Sequence, residues 1–454
     1  MIAVTVYLGF LSLIGLWRLK KQQTFENFFL STQKLGMLET SLTLMSTWVD
    51  SAIILGFSGY CYMFGYDTLW IAIPTSVGVY TFSLFFAAKV NRIRRGFTIG
   101  GVIEEAYGTG VSVVSSLFTL LYSITLVATN VMAAGYVMQV MVGVPFVVGA
   151  FLILGVAVLY TVVGGFKKVV ETDIAQFFLL IVGLGVLLLF VLKAVGGFGH
   201  IQRMAFRYPT AFSVGDVASF FIVFTFPFWA NPSFYQRCNA AKSPDVAVVG
   251  VATVGLVDSV MTFVALIVGI AGVIILGRDV IPDAVFPGVV KAVLPWGLRD
   301  FVGLAILSAI MSTADSYLLI AGGVIAHDIL KPIKREVIDE LVYTRVGIVL
   351  SAAVALFAAM IFKNILDAAM FAFSLFVSSN LIPLVVAFYV KDAKRFVAPS
   401  LVSMLGGGLT VVLWKIFDWG DVSLSVMYGL LVSGILWLLL YGYKRVVKGR
   451  RLYG

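Results

Sequence analysis

The chain reads as an all-α polytopic membrane protein of about thirteen transmembrane helices, with two halves built as inverted repeats. Three observations carry that reading. The composition is 61% hydrophobic and 12% charged, with a mean hydropathy of +1.04, about half the charge of a soluble domain. The apolar residues fall in runs of roughly 20, the length a helix needs to cross a bilayer. The second and seventh runs are each broken by polar residues near the centre, and matching interruptions in two halves mark an inverted-repeat architecture with a midplane site.

In chain order the expected spans are 2–17, 36–64, 66–88, 111–141, 145–164, 171–194, 217–237, 246–276, 298–326, 341–362, 366–390, 395–416 and 422–443. No ten-residue alternation supports a β-barrel. The first run has no basic segment before it and no small-residue cleavage site after it, so it reads as a retained helix, not a signal peptide. Basic residues set the orientation. Arg18, Lys20, Lys21 and Lys34 flank the first loop, and Lys89, Arg92, Arg94 and Arg95 follow the third span. Lys167/Lys168, Arg237/Lys242, Lys331/Lys334/Arg335/Arg345 and Lys391/Lys394/Arg395 then occupy alternate loops, and the tail carries Lys444, Arg445, Lys448, Arg450 and Arg451. The positive-inside rule places the N-terminus outside and the C-terminus in the cytoplasm of a multi-pass cell-membrane protein. The net charge of +9 is therefore topological, and no nucleic-acid partner is expected.

The longest polar segments are roughly 195–216 and 327–340, so the partners expected are the bilayer, ions and small solutes, with no obligate protein partner. Cys61 and Cys238 fall near opposite membrane faces, which argues against a disulfide. His200 and His327 are far apart, and no Cys/His spacing suggests a metal centre. No nucleophile–base pair or phosphate loop is evident, so neither an enzyme nor a cofactor is expected.

The most polar membrane-embedded stretch is Ala309-Ile310-Met311-Ser312-Thr313-Ala314-Asp315-Ser316. Such groups are costly in lipid and mark ion or solute paths. On a helix, Ala309, Ser312 and Thr313 share one face at i, i+3 and i+4, offering the oxygen ligands that hard cations need. In the second span, Ser46, Thr47, Trp48, Asp50 and Ser51 precede Gly56, Ser58, Gly59 and Gly65. Small-residue helix packing explains the glycines, but packing does not require the Asp50 carboxylate. Unwound backbone at mid-membrane survives only beside a cavity. The seventh span is interrupted at Trp229-Ala230-Asn231-Pro232-Ser233, and Ser374, Ser378, Ser379, Asn380 and Pro383 puncture the eleventh, although a proline can simply kink a membrane helix. Asp50, Asp173, Asp258 and Asp315 are the acids of interest within spans. No lysine or arginine is expected at their depth, which leaves a mobile cation, a proton or a positively charged solute as their partner. For Asp258 a neutral or hydroxyl-bonded carboxyl is the preferred reading.

These residues resemble the sodium/solute symporter family, which includes sodium-coupled proline, pantothenate, sugar and sialic-acid carriers. The resemblance rests on Phe28-Phe29-Leu30-Ser31 through Leu35-Gly36, Gly56-Phe57-Ser58-Gly59 with Gly65, and Arg94-Arg95-Gly96-Phe97-Thr98 through Glu104-Glu105 and Tyr107-Gly108. It continues through Tyr160-Thr161, Gly164-Gly165, Thr172-Asp173 to Gln176, Gln236-Arg237, and Ala240-Ala241-Lys242-Ser243. The Ala309–Ser316 stretch and His327-Asp328-Ile329 complete it. It implies a leucine-transporter-like fold, with a first inverted repeat over 36–194, a second over 217–390, and peripheral helices in 1–35 and 391–454. It implies a symporter importing a small organic solute, an amino acid such as proline or a similar metabolite, with Na+ as the coupling ion. The implied sodium ligands are the carbonyls of Ser46, Val49 and Ala309 and the hydroxyls of Ser312 and Thr313. A second cation site is implied at Asp173, Ser312, Asp315 and Ser316.

Departures from the family bear on the solute. Ile53 and Ala72 stand where sugar carriers place polar contacts, Thr75 keeps a hydroxyl, and Phe224, Phe226, Pro227 and Phe228 make an apolar wall. These argue against a sugar. Asp50 beside Trp48, Trp70 and Phe228, with Asn231 at the second break, suits an amine or quaternary ammonium through charge and cation–π attraction. Equally, Asp50 could carry a coupling proton or neutralise sodium. A solute sensor without transport is the reading from a different class.

Overall fold

The computed structural model describes residues 9, 24–30, 34–93, 98–205, 208, 211–334 and 338–450. Apart from Gly9, the first expected span lies outside them, together with Ser31 and Arg94–Phe97. The described residues are helical apart from turns and one bridge between Leu35 and Ala241. The helices used below are α1 (Met37–Trp48), α2 (Phe57–Phe64), α3 (Leu69–Phe82), α4 (Ala88–Arg92), α5 (Ile99–Tyr107), α6 (Thr109–Val137), α7 (Phe146–Ala194) and α8 (Val214–Thr225). The remainder are α9 (Pro232–Ala240), α10 (Pro244–Leu276), α11 (Trp296–Gly323), α12 (Glu340–Ala358), α13 (Ile365–Tyr389), α14 (Val397–Ile416) and α15 (Val422–Arg450).

Among the described residues, ten helices are long and apolar enough to cross a membrane, against the thirteen expected. Two of the ten hold more than one expected span. Ala52–Arg92 runs from the second span into the third, and Phe146–Ala194 joins the fifth and sixth. Both turn at a glycine in a backbone region that L side chains avoid. Gly65 has φ 60°, and Gly165 has φ 60° and ψ −166°. A Cβ on Gly165 would also lie 2.6 Å from the Phe28 carbonyl, so this corner tolerates only glycine.

The two interruptions expected from sequence form, each by its own local chemistry. α1 ends at Trp48, and a π-helical turn over Ala52–Gly56 leads into α2. Between them, Asp50 Oδ1 accepts the backbone N–H groups of Ala52 (2.9 Å) and Ile53 (3.2 Å), which are donors a new helix start leaves unpaired. In the second half, α8 tightens into a 3₁₀ turn over Phe226–Ala230. Asn231 then caps α9 through Ser233 N (2.9 Å) and Phe234 N (3.3 Å), with Pro232 in the first helical position, where its missing N–H costs nothing. The eleventh span differs. α13 runs unbroken through Pro383, and the Pro383 carbonyl is held by the Tyr107 hydroxyl at 2.8 Å.

α11 forms the centre of the bundle. Its side chains are buried almost continuously from Val302 to Gly323, and it packs on α6, α7 and α12. α14 and α15 pack on each other and on α13, and turn Leu409, Leu431, Leu438 and Leu439 outward. Large apolar side chains on the outside and hydroxyls on the inside reverse the soluble pattern, as hydrocarbon solvent requires.

Candidate sodium and solute sites

α1 and α11 meet where the sequence concentrates hydroxyls. Ser46 Oγ and Ser312 Oγ are 2.8 Å apart, and Thr313 Oγ1 donates to the Thr47 carbonyl at 2.8 Å. Val49, at the end of α1, and Ala309, one turn before Ser312, are both buried. The last turn of the broken helix thus faces the Ala309, Ser312 and Thr313 side of α11. Carbonyls freed where α1 ends, together with two hydroxyls, are hard oxygen donors of the type a small cation selects.

Beside this contact lies a charged knot that corrects the sequence reading. Arg237, expected in a loop, is completely buried on α9, and so is Asp173 on α7. Arg237 Nη2 lies 3.1 Å from Asp173 Oδ2. The same nitrogen donates to Ser316 Oγ (2.8 Å) and Thr47 Oγ1 (2.5 Å), while Nε reaches Thr43 Oγ1 (3.0 Å) and Nη1 reaches Ser233 Oγ (2.9 Å). Asp173 also accepts from Thr43 and Ser312, each at 2.5 Å. The expectation that no fixed cation reaches the buried acids is overturned for Asp173. Every residue of α9 is buried despite its polar Gln236-Arg237-Cys238-Asn239 run, and Gln236 donates to the Phe29 carbonyl at 2.7 Å. Ser233 and Arg237 at i, i+4 on a proline-started helix were the available signal, masked by Lys242 nearby.

The knot occupies the region of the expected second cation site. Ser316 hydrogen-bonds the guanidinium, and Asp315 accepts from the Tyr160 hydroxyl at 2.5 Å. Asp315 is fully buried and makes no ion pair among the described residues.

On the other side of α1 is a partly open cavity of about 40 Å³, room for a few waters by the usual volume per site. Trp48, Asp50, Asp258, Phe57, Phe224 and Phe373 line it, with Ile53, Ala72 and Thr75. Asp258 accepts from Trp48 Nε1 at 2.8 Å and from Ser76 Oγ at 3.5 Å. Asp258 is therefore hydrogen-bonded, as expected, but chiefly to an indole, and it faces the cavity. The Thr75 hydroxyl donates to the Ile71 carbonyl at 2.9 Å. Three expected solute residues stand elsewhere. Trp70 is 43% exposed on the outside of α3. Phe228 packs behind Trp48, with ring centroids 4.3 Å apart. Asn231 is spent on capping α9, with Tyr317 donating to it at 3.3 Å. Among the described residues, no lysine, arginine or histidine lines the cavity. Cys61 and Cys238 are buried free thiols.

The family model described as the sodium:solute symporter family matches residues 28–407. The chain belongs to that family. It is a membrane-embedded, sodium-coupled symporter of the leucine-transporter-like class. The Sodium/proline symporter of Escherichia coli is 24% identical over 447 residues, covering 92% of this chain and 88% of that protein. The human High affinity choline transporter 1 is 26% identical over 357 residues, covering 72% of this chain and 61% of that one. A solved Na+-coupled sialic acid symporter, bound to substrate and open outward, superposes with a TM-score of 0.80 at 15% identity, over 96% of this chain and 97% of that one.

Proposed function

We propose that this symporter carries a small organic cation, an amine or quaternary ammonium, with sodium. The observation that carries this is the state of the broken helix at Asp50. In this architecture a half-helix N-terminus offers free N–H groups to anionic substrate groups. Here Asp50 Oδ1 takes the Ala52 and Ile53 N–H groups and presents a carboxylate to the cavity instead. A second carboxylate, Asp258, and four aromatic rings complete the lining. Such a set attracts a cation by charge and cation–π contact and disfavours a free carboxylate.

The coupling sodium in this proposal sits between α1 and α11, on the carbonyls of Ser46, Val49 and Ala309 and the hydroxyls of Ser312 and Thr313. It joins the broken helix to the bundle centre, and alternating access follows if the ion binds one arrangement of the two better than the other. The inverted repeats over 36–194 and 217–390, the external N-terminus and the cell-membrane location belong to the same proposal. The guanidinium at the second cation position supplies Asp173 with its positive charge, which favours a single sodium.

The test is thermal unfolding in sodium or potassium, with choline, simple amines, proline and carboxylates. A cationic amine at 100 times its dissociation constant should stabilise by about 2.7 kcal/mol, in sodium only. Asp50→Asn keeps a capping oxygen, since asparagine caps as well as aspartate, but removes the charge, and should abolish that shift. Proline stabilising wild type and variant alike would overturn the proposal. A second reading, proton coupling, rests on Asp315, which accepts from the Tyr160 and Ser316 hydroxyls and forms no ion pair among the described residues. Uptake indifferent to sodium and abolished by Asp315→Asn would favour it.

A further inference from the structure

A larger cavity opens at the end of the bundle where α4 and α13 finish. It is an open cleft of about 590 Å³ lined by Lys89, Arg92, Lys391 and Lys394, with Glu105 and Asp392 as its acids. Asp392 is already paired with Arg395. Among the described residues none of the four lining cations forms an ion pair with an acid; Lys89 instead sits 3.2 Å over the centre of the Tyr389 ring. Four positive groups therefore share one cavity with one uncommitted carboxylate, Glu105.

The cavity adjoins exposed apolar side chains. Leu84 and Phe85 are exposed on the turn just before Lys89, and Tyr389 and Val390 are exposed where α13 ends. The Tyr389 hydroxyl donates to the Phe85 carbonyl at 3.0 Å, so the two helix ends form one continuous apolar strip leading into the basic cavity. A solvated basic patch needs no such strip. A ligand with a negative head and an apolar tail would use both parts.

We propose that this cavity binds the headgroup of an anionic phospholipid, with the phosphate held by Arg92, Lys391 and Lys394 and an acyl chain lying along Leu84, Phe85 and Val390. Placing the lipid in the cytoplasmic leaflet rests on the proposed orientation, but the binding test depends neither on orientation nor on transport. Delipidated protein in detergent is titrated with phosphatidylglycerol, phosphatidylcholine or inorganic phosphate, and bound lipid is counted by native mass spectrometry. Phosphatidylglycerol should bind preferentially. The triple variant Arg92→Gln, Lys391→Gln, Lys394→Gln should weaken it by on the order of 100-fold, at about one kcal/mol per basic residue near an anionic surface. These side chains are exposed, so folding is not at stake, and an unchanged melting temperature checks this. Lys415→Gln, at the end of α14, should leave the preference intact. Equal binding of the two lipids, retention in the triple variant, or full competition by phosphate alone would each overturn the proposal.

Discussion

Two clusters of buried acid flank the same broken helix and handle their charge in opposite ways. On the α7 and α9 side, Asp173 meets a guanidinium and three hydroxyls at hydrogen-bond distance. On the cavity side, Asp50 and Asp258 receive backbone N–H groups, an indole N–H and a distant hydroxyl, and among the described residues no basic side chain lines their cavity. A buried carboxylate tied to a fixed cation holds helices together. One left with neutral donors is available to a charge that comes and goes. The contrast separates an acid with a fixed countercharge from acids held by neutral donors, and the proposed transport site rests on it.

The sharpest way to break this comparison is to remove the fixed cation. Arg237→Met should destabilise the protein by about 3–5 kcal/mol, the usual cost of stranding a buried charge, read as loss of thermal stability in detergent. Adding Asp173→Leu should recover much of it, because an apolar pair of similar size is often neutral. If Arg237→Met were benign, the knot would not be structural. Next in size, Ser312→Ala with Thr313→Ala should raise the sodium concentration for half-maximal uptake at least tenfold, each lost oxygen being worth about 1–3 kcal/mol. Unchanged sodium dependence would move the ion elsewhere. Asp50→Asn should remove amine-induced stabilisation while leaving the unliganded protein close to wild type, because its cap persists.

A smaller effect comes from an intermediate case outside the membrane spans. Asp283 is buried and accepts the Ile365 N–H at 3.0 Å. Burial, opposed by that hydrogen bond, raises its carboxyl from the ordinary 3.8 to about 7. The folded state thus holds a proton that the unfolded chain has released between those values. Stability should fall as pH rises from about 4 to about 7 and level off above. Asp283→Asn, measured by melting temperature against pH, should flatten that part of the profile.

Much of this was legible in the sequence because it depends on neighbours along the chain. Span length follows from apolar runs. The breaks follow from Asp50 and from Asn231-Pro232, whose caps act two or three residues away. The α11 hydroxyl face follows from helical spacing of Ser312 and Thr313. Other features needed the packed bundle. Arg237 reaches Asp173 across 64 residues, and Trp48 reaches Asp258 across 210. Nothing in local periodicity says which way α3 turns Trp70, which ended outside, or that α9 would bury a whole polar helix. The sequence by itself determined the apolar runs, the breaks at Asp50 and at Asn231-Pro232 and which oxygens share a face, because those are set by hydrogen bonds and sterics within a few residues. Only the tertiary structure decided which buried acid meets a fixed cation and which meets neutral donors, because that depends on how separate helices rotate against one another.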